Sequence, residues 1–270
     1  MSNNSISILG SGWLGLPLSD ALEQSGHRVY LSTRCHNKEK QLSDQGKNMF
    51  QLTVDPTQLQ GDFASFLQSD VLIVNIPPDR KNSQPGQFSQ ILPLIEQSSV
   101  EKVILVSSTS VYKNNNGWVK EDNGDELQSH PLLTEEQRFL QSSTFKTIVL
   151  RMAGLIGGNR HPGRFFSNKK INNAKAAVNL IHRTDCIQII QQLLHSQSAE
   201  GIYNACTDLH PSKGTFYGAA TVSLGFKRPE MEFASTADFK KVSNNKLKKQ
   251  LQYSFRHPDL MQLLEDENWY

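Results

Sequence analysis

Short strand-like runs alternate with amphipathic stretches through the first 150 residues. The runs, rich in β-branched and other apolar residues, lie at 6–9, 28–34, 49–54, 71–76, 103–108 and 147–151. Helical spacing predicts helices from Leu16 to near Gly26 and over 38–45, 87–97 and 134–141. The runs at 71–76 and 103–108 are apolar almost throughout, as in strands buried on both faces of a parallel sheet. This alternation predicts an α/β fold, a Rossmann-like doubly wound parallel sheet.

The pattern loosens after Arg151. A glycine-rich loop covers 154–163, a helix is predicted at 185–195 behind Thr184 or Asp185 as N-cap, and a late strand at 202–205. We therefore expect a dinucleotide-binding domain over 1–155, to which 177–205 returns. Residues 156–176 and 206–270 would form a small C-terminal substrate-side lobe. The lysine-rich stretch from Lys240 to Lys249 predicts a solvated helix face.

The composition limits the kinds of partner that the protein is expected to have. The chain has 270 residues with 28 Lys and Arg against 26 Asp and Glu, a net charge of +2, which argues against a dedicated nucleic-acid binder. No apolar run reaches membrane length, and the polar first residues do not suggest a signal peptide. Three scattered cysteines without a C-x-x-C motif favour reduced thiols and no metal site. We expect a cytoplasmic protein whose partner is a small molecule.

A glycine-rich turn follows the first predicted strand and precedes the first predicted helix. Its residues form a G-x-G-x-x-G motif: Gly10, Ser11, Gly12, Trp13, Leu14 and Gly15. A strand, glycine turn and helix in this order suit a dinucleotide pyrophosphate, because the helix N-terminus offers N–H groups and a positive dipole end. Gly10 would allow the tight turn, and Gly12 would let the phosphates approach the backbone. Gly15 would let the helix pack close to the strand.

The end of the second predicted strand bears on the choice of cofactor. NAD-binding versions of this fold place an acidic residue there for the ribose hydroxyls, but this chain has Ser32-Thr33-Arg34. Arg34 and the Thr33 hydroxyl suit a 2′-phosphate, so we expect NADP rather than NAD. An exposed arginine at a strand end is the plain alternative. Asp55 would bond the adenine amine or simply form a turn. Further candidate cofactor contacts follow later strands: Asn75, Ile76, Pro77 and Ser107.

Five later segments resemble the extended and atypical short-chain dehydrogenase/reductase superfamily, which includes nucleotide-sugar epimerases and dehydratases. The segments are Val106-Ser107-Ser108-Thr109-Ser110-Val111-Tyr112, similar to S-S-x-x-V-Y; Gly117-Trp118-Val119 with Glu121; Leu150-Arg151 with Gly154 and Gly157; Asn179-Leu180-Ile181-His182 with Asp185; and Gly201-Ile202-Tyr203-Asn204. With the glycine turn they run in family order to about residue 225. The resemblance implies a dinucleotide-binding fold, hydride-transfer chemistry and a homodimer.

The superfamily's catalytic Tyr-x-x-x-Lys pair is missing. In the family, the lysine lowers the tyrosine's pKa so that its phenolate exchanges a proton with substrate. Counting back from Glu136-Gln137 places the tyrosine position at Gln128 and the lysine position at Leu132. Ser108 matches the serine that holds the reacting oxygen, although a hydroxyl at a strand end also satisfies backbone groups.

Four other residues are candidates for the chemistry. Tyr112 would act as a substitute acid if its ring turned toward the nicotinamide, whereas the family packs this ring structurally. Glu121 would act as acid or base if burial raised its pKa, or it would order a loop. His182 would contact substrate or transfer a proton, or, with Asp185, order the loop before the helix. Arg160 would bind an anionic substrate group or lie in a surface turn.

Two functions fit the sequence. The first is an NADP-dependent oxidoreductase or epimerase-like enzyme acting on a small polar carbonyl, hydroxyl or sugar-type compound. The second is an NADP-binding redox sensor or regulatory protein that has lost the proton-transfer pair. Ser108 and the loops around it favour the enzyme, and the missing pair favours the sensor.

Overall fold

A computed structural model of the chain describes residues 4–55, 57–76, 86, 88–234 and 238–265. The strands in these ranges are β1 (Ser5–Leu9), β2 (Arg28–Thr33), β3 (Asn48–Gln51), β4 (Thr53–Val54), β5 (Leu59–Gln60), β6 (Val71–Val74), β7 (Lys102–Ser108), β8 (Trp118–Val119), β9 (Lys146–Met152), β10 (Gly154–Ile156), β11 (Leu180–His182), β12 (Gly201–Ala205) and β13 (Lys241–Val242). The helices are α1 (Gly15–Gln24), α2 (His36–Asp44), α3 (Phe63–Phe66), α4 (Leu92–Glu96), α5 (Pro131–Gln141), α6 (Arg183–His195), α7 (Lys213–Ser223), α8 (Asn245–Leu251) and α9 (Leu260–Leu263).

The main sheet has seven strands in the order β12-β9-β7-β6-β1-β2-β3. The pairings of β1 with β2 and β6, of β2 with β3, and of β6 with β7 are parallel. The strand order reverses direction between β1 and β6, the topological switch point at which doubly wound sheets bind ligands. The predicted Rossmann-like doubly wound α/β fold is therefore confirmed.

Buried strands explain why this sheet forms. All four residues of β6 are buried, and β9 is buried from its second residue to its last. Rings from α3, α5 and the loop before β9 pack into one core cluster, as Phe66, Phe139 and Phe145. Apolar strands without a solvent-facing polar side need such cover on both faces.

Three predicted segments differ from the structure. The run at 49–54 divides, because β3 joins the sheet whereas β4 pairs antiparallel with β5. The helix predicted over 87–97 is limited to α4, with Pro93 in its first turn, and residue 87 lies outside the described residues. The lysine-rich stretch is not one solvated helix face, since Lys241 lies in β13, Lys240 is half-buried, and α8 begins only at Asn245.

The residues group into two compact units. The first comprises Met1–Ser107, Gln128–Leu150 and Gln197–Ile202, and the second comprises Ser108–Leu127, Arg151–Ser196 and Tyr203–Tyr270. The second unit has its own apolar cluster, in which Phe216 and Tyr217 of α7 pack with Leu260 of α9. The predicted domain bounds, with their division after residue 155, differ from these ranges and stay a prediction.

No helix in the described ranges is long and apolar enough to cross a membrane. Within the same part of the chain, His, Cys, Asp and Glu side chains nowhere form a group of three that could hold a metal ion. The three cysteines are free thiols, with Cys35 exposed and Cys186 and Cys206 buried. Burial raises the pKa of both buried thiols, so neither is a reactive thiolate at neutral pH.

Candidate functional site

The glycine turn after β1 is held in a shape that only glycine permits at two positions. Gly10 has a φ of +110°, a region that other residues rarely adopt. A Cβ on Gly15 would lie 2.0 Å from the Gly10 carbonyl oxygen, so α1 starts in direct backbone contact with the turn. By contrast, a Cβ on Gly12 would meet nothing within 4 Å. The turn is therefore closed toward the sheet and open at Gly12.

Neighbouring strands fix the turn. Ser32, buried at the end of β2, accepts the Gly10 N–H on its hydroxyl at 3.0 Å and the Ser11 N–H on its carbonyl at 2.8 Å. The Asn75 amide after β6 donates to the Gly10 carbonyl at 3.3 Å. Among the described residues, nothing accepts the N–H groups of Gly12 and Leu14. Open space beside unused N–H groups at a helix start is the arrangement that binds phosphate.

Basic side chains follow β2, where an acidic residue would select NAD. Arg34 is exposed and has no ion-pair or hydrogen-bond partner within the described ranges. Lys38 on α2 donates to the Ser11 carbonyl at 2.5 Å, which places its ammonium beside the glycine turn. The Thr33 hydroxyl accepts the Cys35 N–H at 3.2 Å and keeps its own proton to donate. This edge is therefore positively charged.

The other predicted cofactor contacts have varied surroundings. The Ile76 side chain lies against Gly10, 2.9 Å from where a Cβ would stand. The Asp55 carboxylate accepts the Thr57 hydroxyl at 2.7 Å and the Thr57 N–H at 3.0 Å, which closes the turn that the sequence offered as its alternative role. The Ser107 hydroxyl donates to Glu136 at 2.5 Å. Trp13 is half-buried, and Pro77 lies outside the described residues. Their cofactor contacts stay predictions.

In the second unit, Ser108 lines a cavity of about 340 Å³. The Ser108 hydroxyl accepts the Ser110 N–H at 3.1 Å, so it satisfies the backbone yet retains a proton to donate. Two lysines and a tyrosine, absent from the sequence-based candidates, line the same cavity: Lys213, Tyr217 and Lys240. One sequence feature points to two of these residues, namely that Lys213 and Tyr217 are four positions apart.

The Tyr112 side chain lies in a buried network. Its ring is 1% exposed, and its hydroxyl accepts from Arg151 at 2.7 Å and donates to Asn204 at 2.9 Å. Arg151 also pairs with Glu126 at 2.8 Å. Burial outweighs the Arg151 charge and raises the pKa of Tyr112 to about 12. A phenolate that exchanges protons needs a lowered pKa. This geometry therefore supports the structural packing role that the family resemblance implies for the Tyr112 ring. The catalytic role stays a prediction.

The remaining candidates take part in local structure. Burial raises the pKa of Glu121, as acid or base work would require, while its carboxylate also accepts the Asn204 N–H at 2.8 Å. His182 caps α6 by accepting the Thr184 N–H at 3.3 Å. Asp185 accepts the Tyr253 hydroxyl at 2.6 Å and thereby orders the chain beyond α8. Arg160 is exposed in a tight turn with Gly157.

The positions of the family's missing pair hold no acid or base. Gln128 is exposed before α5, whereas Leu132 is buried in the first turn of that helix. An ammonium in place of Leu132 would require a partner there that the leucine does not need.

Comparison with solved structures defines the class of fold. No protein family model matches the chain. UDP-glucuronic acid 4-epimerase from Bacillus cereus, in complex with NAD, has a TM-score of 0.77 at 19% identity over 98% of this chain and 95% of that one. Human epimerase family protein SDR39U1 with NADPH has a TM-score of 0.72 at 15% identity over 97% and 98%. The chain therefore has the fold of the epimerase-like short-chain dehydrogenases/reductases, and the superfamily resemblance is confirmed at that level.

Curated relatives are similar along nearly the whole chain. One is Protein YeeZ of Escherichia coli strain K12, which is 29% identical in an alignment of 266 residues that covers 94% of this chain and 96% of that protein.

Proposed function

We propose that the chain binds NADP and is an oxidoreductase or epimerase-like enzyme acting on a small polar carbonyl, hydroxyl or sugar-type compound. One observation carries the cofactor part, namely the glycine turn that is closed by Gly10 and Gly15, open at Gly12, and followed by unused N–H groups. The two solved structures with a similar fold contain NAD or NADPH, and this supports a nicotinamide cofactor. The basic edge after β2 supports the phosphorylated form.

Each part of the turn has a separate task. The N–H groups of Gly12 and Leu14 would hold the pyrophosphate, and the α1 dipole would favour its negative charge. Arg34 would make charge-assisted bonds to the 2′-phosphate, with the Thr33 hydroxyl as a further donor. Lys38 keeps the turn in place through the Ser11 carbonyl and adds positive charge. A bound reduced nicotinamide supplies a hydride.

Nucleotide titration tests the choice of cofactor. We expect NADPH to bind at least about tenfold tighter than NADH, a difference of about 1.4 kcal/mol. Arg34→Ala should abolish this preference without lowering the free energy of unfolding, because the side chain has no partner among the described residues. Arg28→Ala is the matched control, since Arg28 is exposed at the opposite end of the same strand. Equal affinities in the unmodified protein, or a preference unchanged by Arg34→Ala, would contradict the NADP assignment.

Turnover distinguishes the enzyme from a catalytically silent NADP-binding sensor. Gln128 and Leu132 in the pair's positions favour the sensor, whereas Ser108 in a cavity favours the enzyme. We expect NADPH oxidation with at least one member of a panel of small carbonyl compounds, and we expect Ser108→Ala to abolish it. Tight NADPH binding with no turnover across the panel would favour the sensor.

A further inference from the structure

The Ser108 cavity carries more positive than negative charge. Its charged side chains are Lys213, Lys240 and Asp238. The Lys240 ammonium donates to the Tyr112 carbonyl, and burial lowers its pKa. Asp238 is exposed and accepts the Asn114 amide at 2.9 Å. The volume, about 340 Å³, lies near the lower end of the usual range for ligand sites. Both the charge and the volume favour a small anion.

Tyr217 also lines this cavity. The residue is only 9% exposed. The centroid of its ring lies 4.7 Å from that of Phe166 and 5.2 Å from that of Phe216. Nothing among the described residues forms a hydrogen bond with its hydroxyl. The hydroxyl itself is open to solvent rather than sealed in the core, so it is available to donate to a ligand in the cavity. Burial raises the pKa of Tyr217 to about 12, so the hydroxyl remains a donor at neutral pH.

Lys213 lies one helical turn before Tyr217 on α7. Residues four apart share a helix face, so both side chains line the same wall. The Lys213 backbone N–H donates to the Ala176 carbonyl at 2.8 Å, and Ser212 caps the helix by accepting the Thr215 N–H at 3.1 Å. The start of α7 is therefore fixed against the cavity's other wall. The Lys213 ammonium has no ion-pair partner within the described ranges.

We propose that Lys213 and Tyr217 form the substrate-binding pair of this cavity, which takes a small carboxylate that also carries a carbonyl or hydroxyl group. The Lys213 ammonium pairs with the carboxylate, and the Tyr217 hydroxyl donates to the carbonyl or hydroxyl oxygen. The pair has the spacing of the family's missing tyrosine and lysine in the reverse chain order, on a different helix.

The chemical role of Tyr217 rests on the proposed function. In a reduction, bound reduced nicotinamide would supply a hydride to the carbonyl carbon, and the carbonyl π electrons would move to the oxygen. That oxygen would accept a hydrogen bond from the Tyr217 hydroxyl and take a proton from water, which leaves hydroxide. The substrate gains two electrons, and the nicotinamide loses two. Tyr217 is thus a catalytic residue, and Lys213 sets specificity for an anion.

Ligand-observed NMR on the full chain with NADP tests the pair. The probes are two acids with uncharged analogues, pyruvate with acetone and glucuronate with glucose. We expect at least one acid to bind and its analogue not to bind. Lys213→Gln should weaken that acid about tenfold or more, and Tyr217→Phe should weaken it and lower kcat more than it changes KM. Matched controls are Lys169→Gln, an exposed lysine outside the cavity, and Tyr30→Phe on β2, both expected to change nothing.

Separate readouts keep the two proposals apart. Failure of the unmodified chain to bind NADPH counts against the proposed function. Normal NADPH binding with neither acid bound, or equal binding of acids and analogues, overturns the pair. The pair is also overturned if Lys213→Gln and Lys169→Gln weaken the acid equally. Thermal unfolding of each variant identifies one that fails to fold, in which case Lys213→Met and Tyr217→Leu replace it.

Discussion

At the scale of single residues, Gly12 and Gly15 differ in the space around them, because the backbone of the turn crowds Gly15 and leaves Gly12 open. Gly15→Ala would place a methyl group 2.0 Å from a backbone oxygen, so we expect a loss of about 1–3 kcal/mol in the free energy of unfolding together with weaker NADPH binding. Gly12→Ala meets no protein atom within 4 Å, so stability should be unchanged while NADPH affinity falls. Urea unfolding and NADPH titration measure the two effects.

A third alanine serves as the control for these two. Gly117 is half-buried in a loop where the atom nearest to an added Cβ would be 3.6 Å away, so Gly117→Ala should alter neither quantity. If Gly12→Ala bound NADPH as tightly as the unmodified chain, the phosphates would not lie against the turn.

Tyr112 offers a second residue-scale prediction. Tyr112→Phe removes the hydroxyl that joins Arg151 to Asn204, and we expect it to cost about 1–3 kcal/mol of stability. Because the folded-state pKa is raised from 10.0 to about 12, the contribution of this ionisation is fully present below pH 10 and is lost as the pH rises through 12. Urea unfolding between pH 8 and 12 should therefore show a shallower alkaline loss in the variant.

Turnover of the same variant decides between the two roles of Tyr112. A purely structural hydroxyl predicts unchanged kcat for the folded fraction of Tyr112→Phe. A large loss of kcat with unchanged stability would instead support the substitute-acid hypothesis.

At the scale of elements, the start of α6 depends on His182. We expect His182→Ala to lower the free energy of unfolding by about 1 kcal/mol, because the Thr184 N–H loses its acceptor. His182→Asn restores an N-cap acceptor and should recover much of that stability. Thermal unfolding and turnover of both variants separate the roles. A variant that regains stability but not turnover would show that the imidazole contacts substrate or transfers a proton.

The sequence was informative for elements whose physics is local. The strand at 71–76 and the turn from Gly10 to Gly15 were predictable because burial on both faces and tight backbone contact each require particular residue types. The break at Leu52 was not, since the pairing of β4 with β5 depends on residues farther along the chain. Likewise, Tyr217 lies about 100 residues beyond Ser108. Only the folded second unit brings both to one cavity, and in the family's motif the tyrosine precedes the lysine.

At the scale of the whole molecule, three strands each contribute to both compact units, namely β7, β9 and β12. Neither unit is a continuous piece of chain. We therefore expect a fragment of residues 1–155 not to fold stably, because it lacks β12 and residues 197–202 of the first unit. Circular dichroism and size-exclusion chromatography beside the full chain check this. A monomeric fragment that folds and binds NADPH would contradict this expectation.

The position of β12 at the sheet edge also sets an order of events during synthesis. It pairs beside β9, yet about 50 residues separate the two strands in the chain. At the usual rate of chain elongation on the ribosome, the edge of β9 would stay unpaired for about 3–10 s until β12 is synthesised. An unpaired, apolar strand edge is an aggregation hazard, so nascent chains of intermediate length should be those that chaperones hold. Protease resistance of ribosome-stalled chains should accordingly rise only once residue 205 has emerged.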